Sequence, residues 1–158
     1  MAYILHPSSI KMTTYPTYTG PYSLLITDKD EGCRRSIRET FEPEGYNTYQ
    51  ASCGREAIRI AREVLLHALI MDVYLPDISG LETFRFIKKE TKLVLPCILL
   101  SERTSKELML SALSAEAYTV ISKPINLKIL HFAMERIIRK YYLHAMESKE
   151  SQKKEKDK

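Results

Sequence analysis

At 158 residues, with 44% hydrophobic and 28% charged residues, the chain has the composition of one globular domain with tails, long enough to bury a core. No apolar run approaches the ~20 residues of a membrane span, and Met1–Leu5 is too short and lacks the basic start of a signal peptide, so a cytoplasmic protein without a membrane segment is expected. Half of the net charge of +4 arises in residues 149–158, where Glu150, Glu155 and Asp157 interrupt the lysines, which reads as a solvated tail rather than a nucleic-acid surface.

Residues 1–20 carry Pro, Ser, Thr, Tyr and Gly with no period and read as a flexible arm. Organised structure begins near Tyr22, where strand one, over 22–27, runs through Leu24-Leu25-Ile26 toward Asp28. Helix one, over 31–43, sets Cys33, Ile37, Thr40 and Phe41 at helical spacing and stops around Pro43 and Gly45. Asp30 and Glu31 stand at its start, where the helix dipole favours negative charge. Strand two, over 46–50, leads to helix two over 53–64, with Ser52 as the expected N-cap and Ala57, Ile58, Ala61, Val64 and Leu65 turned inward.

Strand three, over 67–71, is the apolar run Ala68-Leu69-Ile70-Met71, which reads as buried on both faces and ends at Asp72. Helix three is predicted over 79–90 and strand four over 96–100, the latter ending at Ser101. Helix four covers 104–115, and strand five, over 118–121, ends just before Lys123. Helix five, over 126–146, aligns Ile129/Leu130, Ala133/Met134, Ile137/Ile138 and Tyr141, and a charged flexible tail follows over 146–158. The organised domain is thus expected over 21–145. Strict strand–helix alternation predicts a doubly wound α/β fold, with parallel strands, right-handed crossovers and helices on both faces. Cys33, Cys53 and Cys97 are odd in number and lack metal-ligand spacing, as in a reducing compartment.

Ligand sites of open α/β folds lie at the carboxyl ends of the strands. Here those ends deliver two carboxylates, Asp28 and Asp72, a hydroxyl, Ser101, and an ammonium, Lys123, the parts needed to handle a phosphoryl group. Each has a plainer reading beside it. Asp28 and Asp72 could be solvated strand-end acids, Ser101 the cap of helix four, and Lys123 a strand terminator ahead of Pro124.

Four motifs in order, Asp28-Lys29-Asp30-Glu31, Met71-Asp72 with Pro76 and Gly80, Leu100-Ser101, and Ser122-Lys123-Pro124, resemble the receiver domains of two-component response regulators over about residues 22–142. The resemblance implies a flavodoxin-like five-stranded sheet of order 2-1-3-4-5. It implies phosphorylation of Asp72 by a histidine kinase or phosphotransfer protein, in a signalling domain that assists its own phosphorylation rather than an enzyme. Mg²⁺ would be held by Asp28, Asp72 and the backbone carbonyl of Tyr74, with Ser101 and Lys123 on the phosphoryl group. The output would be a contact with a downstream protein or a second copy of the chain through the helix four–strand five–helix five face.

The chain departs from the family pattern at several positions. The second acid that usually ends strand one is Lys29, which removes a cation ligand and adds a like charge, so weak or absent Mg²⁺ is expected. The residue after the hydroxyl is Glu102 rather than a small one, and a Lys29–Glu102 pair inside the site is one expected consequence. The usual switch aromatic is Val120, and alternation along strand five puts Tyr118, the candidate substitute, on Val120's side. The usual glycine ahead of strand five is Glu116, and bulky Tyr74 is expected to shield an acyl phosphate. Lys29 and Glu102 also support an alternative, a pseudo-receiver that binds partners without phosphate. A phosphatase lacks its acid, since Tyr74 stands two residues after Asp72, and a flavin site lacks a phosphate-cradling loop.

Overall fold

The computed structural model describes residues 20–143. The arm expected over 1–20, Gly20 excepted, the tail over 146–158 and the last turn expected of helix five lie outside them. Five strands, β1 (Ser23–Thr27), β2 (Asn47–Ala51), β3 (Ala68–Asp72), β4 (Cys97–Ser101) and β5 (Thr119–Ser122), form one parallel sheet of order β2-β1-β3-β4-β5. They alternate with α1 (Glu31–Phe41), α2 (Gly54–Glu63), α3 (Gly80–Thr91), α4 (Lys106–Ser114) and α5 (Leu127–Ile138). This is the flavodoxin-like arrangement that the motifs imply.

Burial explains the order. Every residue of β1, β3 and β4 is buried, as their unbroken apolar runs require of central strands, whereas β2 and β5 carry the more polar residues of sheet edges. Alternate residues face opposite layers. Leu24, Ile26, Ile70, Ile98 and Leu100 pack with Ile37 and Phe41 of α1 and Leu130 and Met134 of α5. Leu25, Leu69, Met71, Cys97 and Leu99 pack with Ala57 and Ile60 of α2, Phe84 and Ile87 of α3, and Ala112 of α4. Each such fully buried aliphatic or aromatic side chain stabilises by roughly 1.5–3 kcal/mol relative to exposure.

Boundaries differ from expectation in ways that matter for chemistry. Each strand starts one residue later than expected, and Asp72 and Ser101 are the last paired residues of β3 and β4 rather than the first residues beyond them. Helix α1 ends at Phe41, and the Pro43 segment winds as a 3-10 turn, Glu42–Glu44, closed by Gly45 at φ 93°. Beyond Ile138 the chain continues as a wider π-type turn over Arg139–Leu143. Val64 is already extended, so the helical period lapses there and Leu65 is exposed; the inner face of α2 is Ala57, Ile60 and Ala61, with Ile58 only half-buried. Ile129, likewise, is 55% exposed while Leu130 is buried.

Ser52 is not the N-cap of α2. Its N–H and hydroxyl both donate to Glu56, and the capping position is Cys53, whose side chain caps nothing. The cap comes from the loop after β3: Asp77 accepts the N–H groups of Gly54 at 2.8 Å, Arg55 at 2.9 Å and its neighbour Ile78 at 2.8 Å. Burial opposes the charge on this carboxyl, but the three N–H groups hold its pKa down to about 2. A cap 23 residues away in sequence ties the loop that follows Asp72 to the start of α2.

Glu116 and Lys92 occupy left-handed conformations, at φ 62° and 53°, which explains why glycine suits the position before β5. Lys88 of α3 compensates in part, donating to the Ala115 carbonyl at 2.7 Å and lying 3.5 Å from the Glu116 carboxylate.

Two stability outcomes follow. Asp77→Ala lowers unfolding free energy by about 1 kcal/mol at neutral pH in urea titration. Because the folded pKa is depressed, the cap's contribution is complete above an unfolded value of about 3.9 and is lost as pH falls toward 2, so parent and variant converge in acid. Glu116→Gly raises stability by roughly 0.5–1 kcal/mol, since the left-handed strain it relieves outweighs an exposed ion pair.

Candidate functional site

The parallel sheet brings the carboxyl ends of β1, β3, β4 and β5 to one rim. Asp28 follows β1 directly and is fully buried; Asp72 ends β3 and is 3% exposed. Lys123 follows β5, with its N–H on the Ser101 carbonyl at 2.8 Å. Its ammonium donates to Oδ2 of Asp28 at 2.6 Å and to Oδ2 of Asp72 at 2.5 Å. The other oxygens are held by backbone: Oδ1 of Asp28 accepts the Asp30 N–H at 2.9 Å and Oδ1 of Asp72 accepts the Tyr74 N–H at 2.8 Å. Two buried carboxylates thus share one ammonium and have a partner on every oxygen.

The electrostatics follow from that sharing. Burial would raise the Asp28 pKa, but hydrogen bonds from Lys123, the Asp30 N–H and the Cys33 thiol pull it below the usual carboxylate range. Burial opposes the charge on Lys123 too, and the two carboxylates more than reverse this, holding it protonated. The Cys33 thiol is pushed up to about 12, by burial first and then by Asp28, so it stays a hydrogen-bond donor rather than a nucleophile. Sequence reasoning gave Cys33 only a packing role; its placement one helical turn from Asp30, whose Oδ1 caps its N–H at 2.8 Å, was the available signal. The Arg34 guanidinium, also missed, donates to the Asp28 carbonyl.

Gly80 sets the floor beneath Asp72. A Cβ there would lie 1.9 Å from the Asp72 carbonyl oxygen, and the Gly80 N–H donates to the Val73 carbonyl at 2.8 Å. No larger residue lets α3 start so close to the end of β3.

The remaining expected residues lie nearby without joining the contact. Ser101 is fully buried, and its hydroxyl donates to the Arg103 carbonyl at 2.5 Å within its own turn. Lys29 and Glu102 are exposed and, together with Lys123, Cys33, Ile37 and Pro124, line a cleft of about 680 Å³ beside the carboxylates. Among the described residues no ion pair joins Lys29 to Glu102, so the expected internal pair does not form. Asp30 faces the same cleft, but one oxygen of its carboxylate caps α1. The Tyr74 ring is 54% exposed and does not cover the site. Among the described residues no three His, Cys, Asp or Glu side chains converge as a metal-binding group.

Tyr118 is not on Val120's side. Because β5 begins at Thr119, the alternation does not extend back to residue 118. Tyr118 packs with the α1/α5 layer, edge-on to Tyr141, while Val120 packs with the α2–α4 layer. Beside it, β5 and α5 border a groove of about 520 Å³ with Ile129 and Phe132 exposed, and Leu113 of α4 is 73% exposed. Among the described residues no helix is long and apolar enough to cross a membrane.

A family model described as the response regulator receiver domain matches residues 24–135. The polar-differentiation response regulator DivK of Brucella anthropi is 34% identical over 109 residues, covering 67% of this chain and 87% of DivK. Response regulator MprA of Mycolicibacterium vanbaalenii is 31% identical over 120 residues, 76% of this chain and 52% of MprA. Several other curated relatives are matched over only 22–25% of their length. Among solved structures, a chain of the CheX–CheY–BeF3–Mg²⁺ complex of Borrelia burgdorferi superposes with a TM-score of 0.70 at 21% identity, over 75% of this chain and 90% of that one.

Removing the shared ammonium leaves two buried anions face to face. Lys123→Met therefore destabilises by about 3 kcal/mol at neutral pH. Since Asp28 is depressed in the parent, the stability that Lys123 gives it is present above about pH 4 and is lost as pH falls and Asp28 protonates, so parent and variant approach each other in acid, which urea titrations at two pH values would show.

Proposed function

The chain belongs to the response regulator receiver domain family, and on that premise we propose that it is a phosphate-operated signalling module. Asp72 takes a phosphoryl group from a histidine kinase or phosphotransfer protein, and the new state is passed on by protein contact. The observation that supports this most directly is the single ammonium of Lys123 held between the buried carboxylates of Asp28 and Asp72.

In the proposed reaction an Asp72 carboxylate oxygen forms a bond to phosphorus while the donor's phosphorus–nitrogen bond breaks. The released imidazole nitrogen takes a proton from solvent. A carboxylate approaching an anionic phosphoryl group needs positive charge at hand, and catalysis is then mainly positioning and electrostatics. Lys123 is that charge: once Asp72 is phosphorylated, its ammonium turns from the lost carboxylate to a phosphoryl oxygen. Ser101 exchanges the Arg103 carbonyl for the phosphoryl group and draws the turn after β4 with it. The apolar α4–β5–α5 face, with Leu113, Ile129 and Phe132 exposed, is the proposed output surface.

The donor set fits Mg²⁺ poorly. The resemblance offers Asp28, Asp72 and the Tyr74 carbonyl, but both Oδ2 atoms are engaged by Lys123, and Lys29 stands where a third carboxylate would help. At ~4 Å and an effective dielectric of ~20, an ammonium and a divalent cation repel by about 8 kcal/mol. We infer weak Mg²⁺ binding.

Lys29 and Glu102 on the cleft rim favour a second reading, a pseudo-receiver that binds its partner without phosphate. Intact mass after exposure to a small-molecule phosphodonor separates the two. The parent is expected to gain one phosphoryl mass and Asp72→Asn none; a folded parent that gains none under any condition leaves the second reading standing.

A further inference from the structure

The misfit between this site and a divalent cation has a positive counterpart. We propose that the Lys29 ammonium supplies the charge that a metal ion would otherwise bring, so that Asp72 is phosphorylated without metal. The inference rests on the phosphoacceptor reading above and assigns the charge source for that same site.

The charges in contact are two carboxylates and one ammonium, a net of minus one before any phosphoryl group arrives. Lys29 is the residue directly after Asp28 and lines the same cleft as Lys123. Lys29 offsets that charge of the contact itself, while Asp30 and Glu102, which line the same cleft, add two further carboxylates around it. A divalent cation would have to displace Lys123 to reach the Oδ2 atoms of Asp28 and Asp72.

Access and competition favour Lys29 as well. Its side chain is exposed at the cleft mouth, and among the described residues no carboxylate holds it in an ion pair. A flexible four-carbon stem carrying a compact charge can turn over a phosphoryl group entering the cleft. Of the acids near it, Asp30 is engaged at the N-terminus of α1, and Asp28 already has a partner on each oxygen. Glu102 is the remaining anion on the rim. Its exposed charge is screened by salt.

The step balances without a metal. An Asp72 oxygen bonds to phosphorus, the donor's phosphorus–nitrogen bond breaks, and the leaving nitrogen is protonated by water. Lys29 and Lys123 keep their protons and stabilise the charge on the phosphoryl oxygens as it develops.

The test uses the full chain with phosphoramidate as donor, in chelator or in excess Mg²⁺, read by intact mass, with Lys29→Ala, Lys29→Asp and Asp72→Asn beside the parent. The parent is expected to gain a phosphoryl group at the same rate in both media. Lys29→Ala is expected to lose about tenfold in chelator, less than the ~100-fold that a buried preorganised donor commands, because Lys29 is exposed to solvent. Lys29→Asp is expected to need Mg²⁺. Calorimetric titration of Mg²⁺ into the unmodified proteins should give binding heat with Lys29→Asp and none with the parent, a readout independent of phosphorylation. A parent modified only with Mg²⁺, or a Lys29→Ala variant unaffected in chelator, overturns the inference and leaves the phosphoacceptor reading standing. A folded parent unmodified in both media overturns both.

Discussion

One ammonium between two buried carboxylates is the constraint on which the rest of the site depends. Asp28 and Asp72 come from neighbouring strands and would repel each other without Lys123, which arrives from the far edge of the sheet, 95 residues after Asp28. Isolated buried charges are costly, so this triad persists only because every carboxylate oxygen has a donor. The sheet order is therefore a chemical requirement as well as a packing solution. β1 and β3 must adjoin to set the acids side by side, and β5 must end level with them for the lysine to reach.

The same contact explains why the loops above it are tied down from below. Gly80 lets α3 begin against the Asp72 carbonyl, and Asp77, three residues earlier, anchors the intervening loop to the start of α2. The Tyr74 N–H that holds Asp72 belongs to this loop, so its position is fixed at both ends. The energy of the Asp77 cap is thus felt at Asp72 as orientation. By contrast, the turn after Ser101 is held by that serine's own hydroxyl, a partner it can exchange.

Much of this was legible in the sequence, for physical reasons that also mark where legibility stops. Central strands show as unbroken apolar runs, so β1, β3 and β4, and the polar residues at their ends, could be read directly. Asp28, Asp72 and Lys123 were found because strand ends of a parallel sheet converge on one rim. The cap of α2 was not, because a contact across 23 residues leaves no local pattern and Ser52 offered a plausible local one. Tyr118 was misplaced because alternation was extended one residue beyond the pairing of β5. The Lys29–Glu102 pair was expected from charge alone, and the structure sets the two on one cleft without joining them.

How a change at Asp72 would reach the surface can be argued from unequal anchoring. Helix α3 buries five residues, Gly80, Leu81, Thr83, Phe84 and Ile87, whereas α4 buries only Ala112, with Leu108 partly covered. At roughly 1.5–3 kcal/mol for each apolar side chain buried, α4 is by far the cheaper helix to displace. It is also the helix that follows the Ser101 turn, and its N-cap, Ser105, lies four residues from the hydroxyl that must change partner. Met109, Leu110 and Leu113 are already exposed on it, so a shift re-presents apolar surface without first tearing it from the core. In the proposed role, chemistry at a rigid rim is converted into movement where the fold holds least tightly.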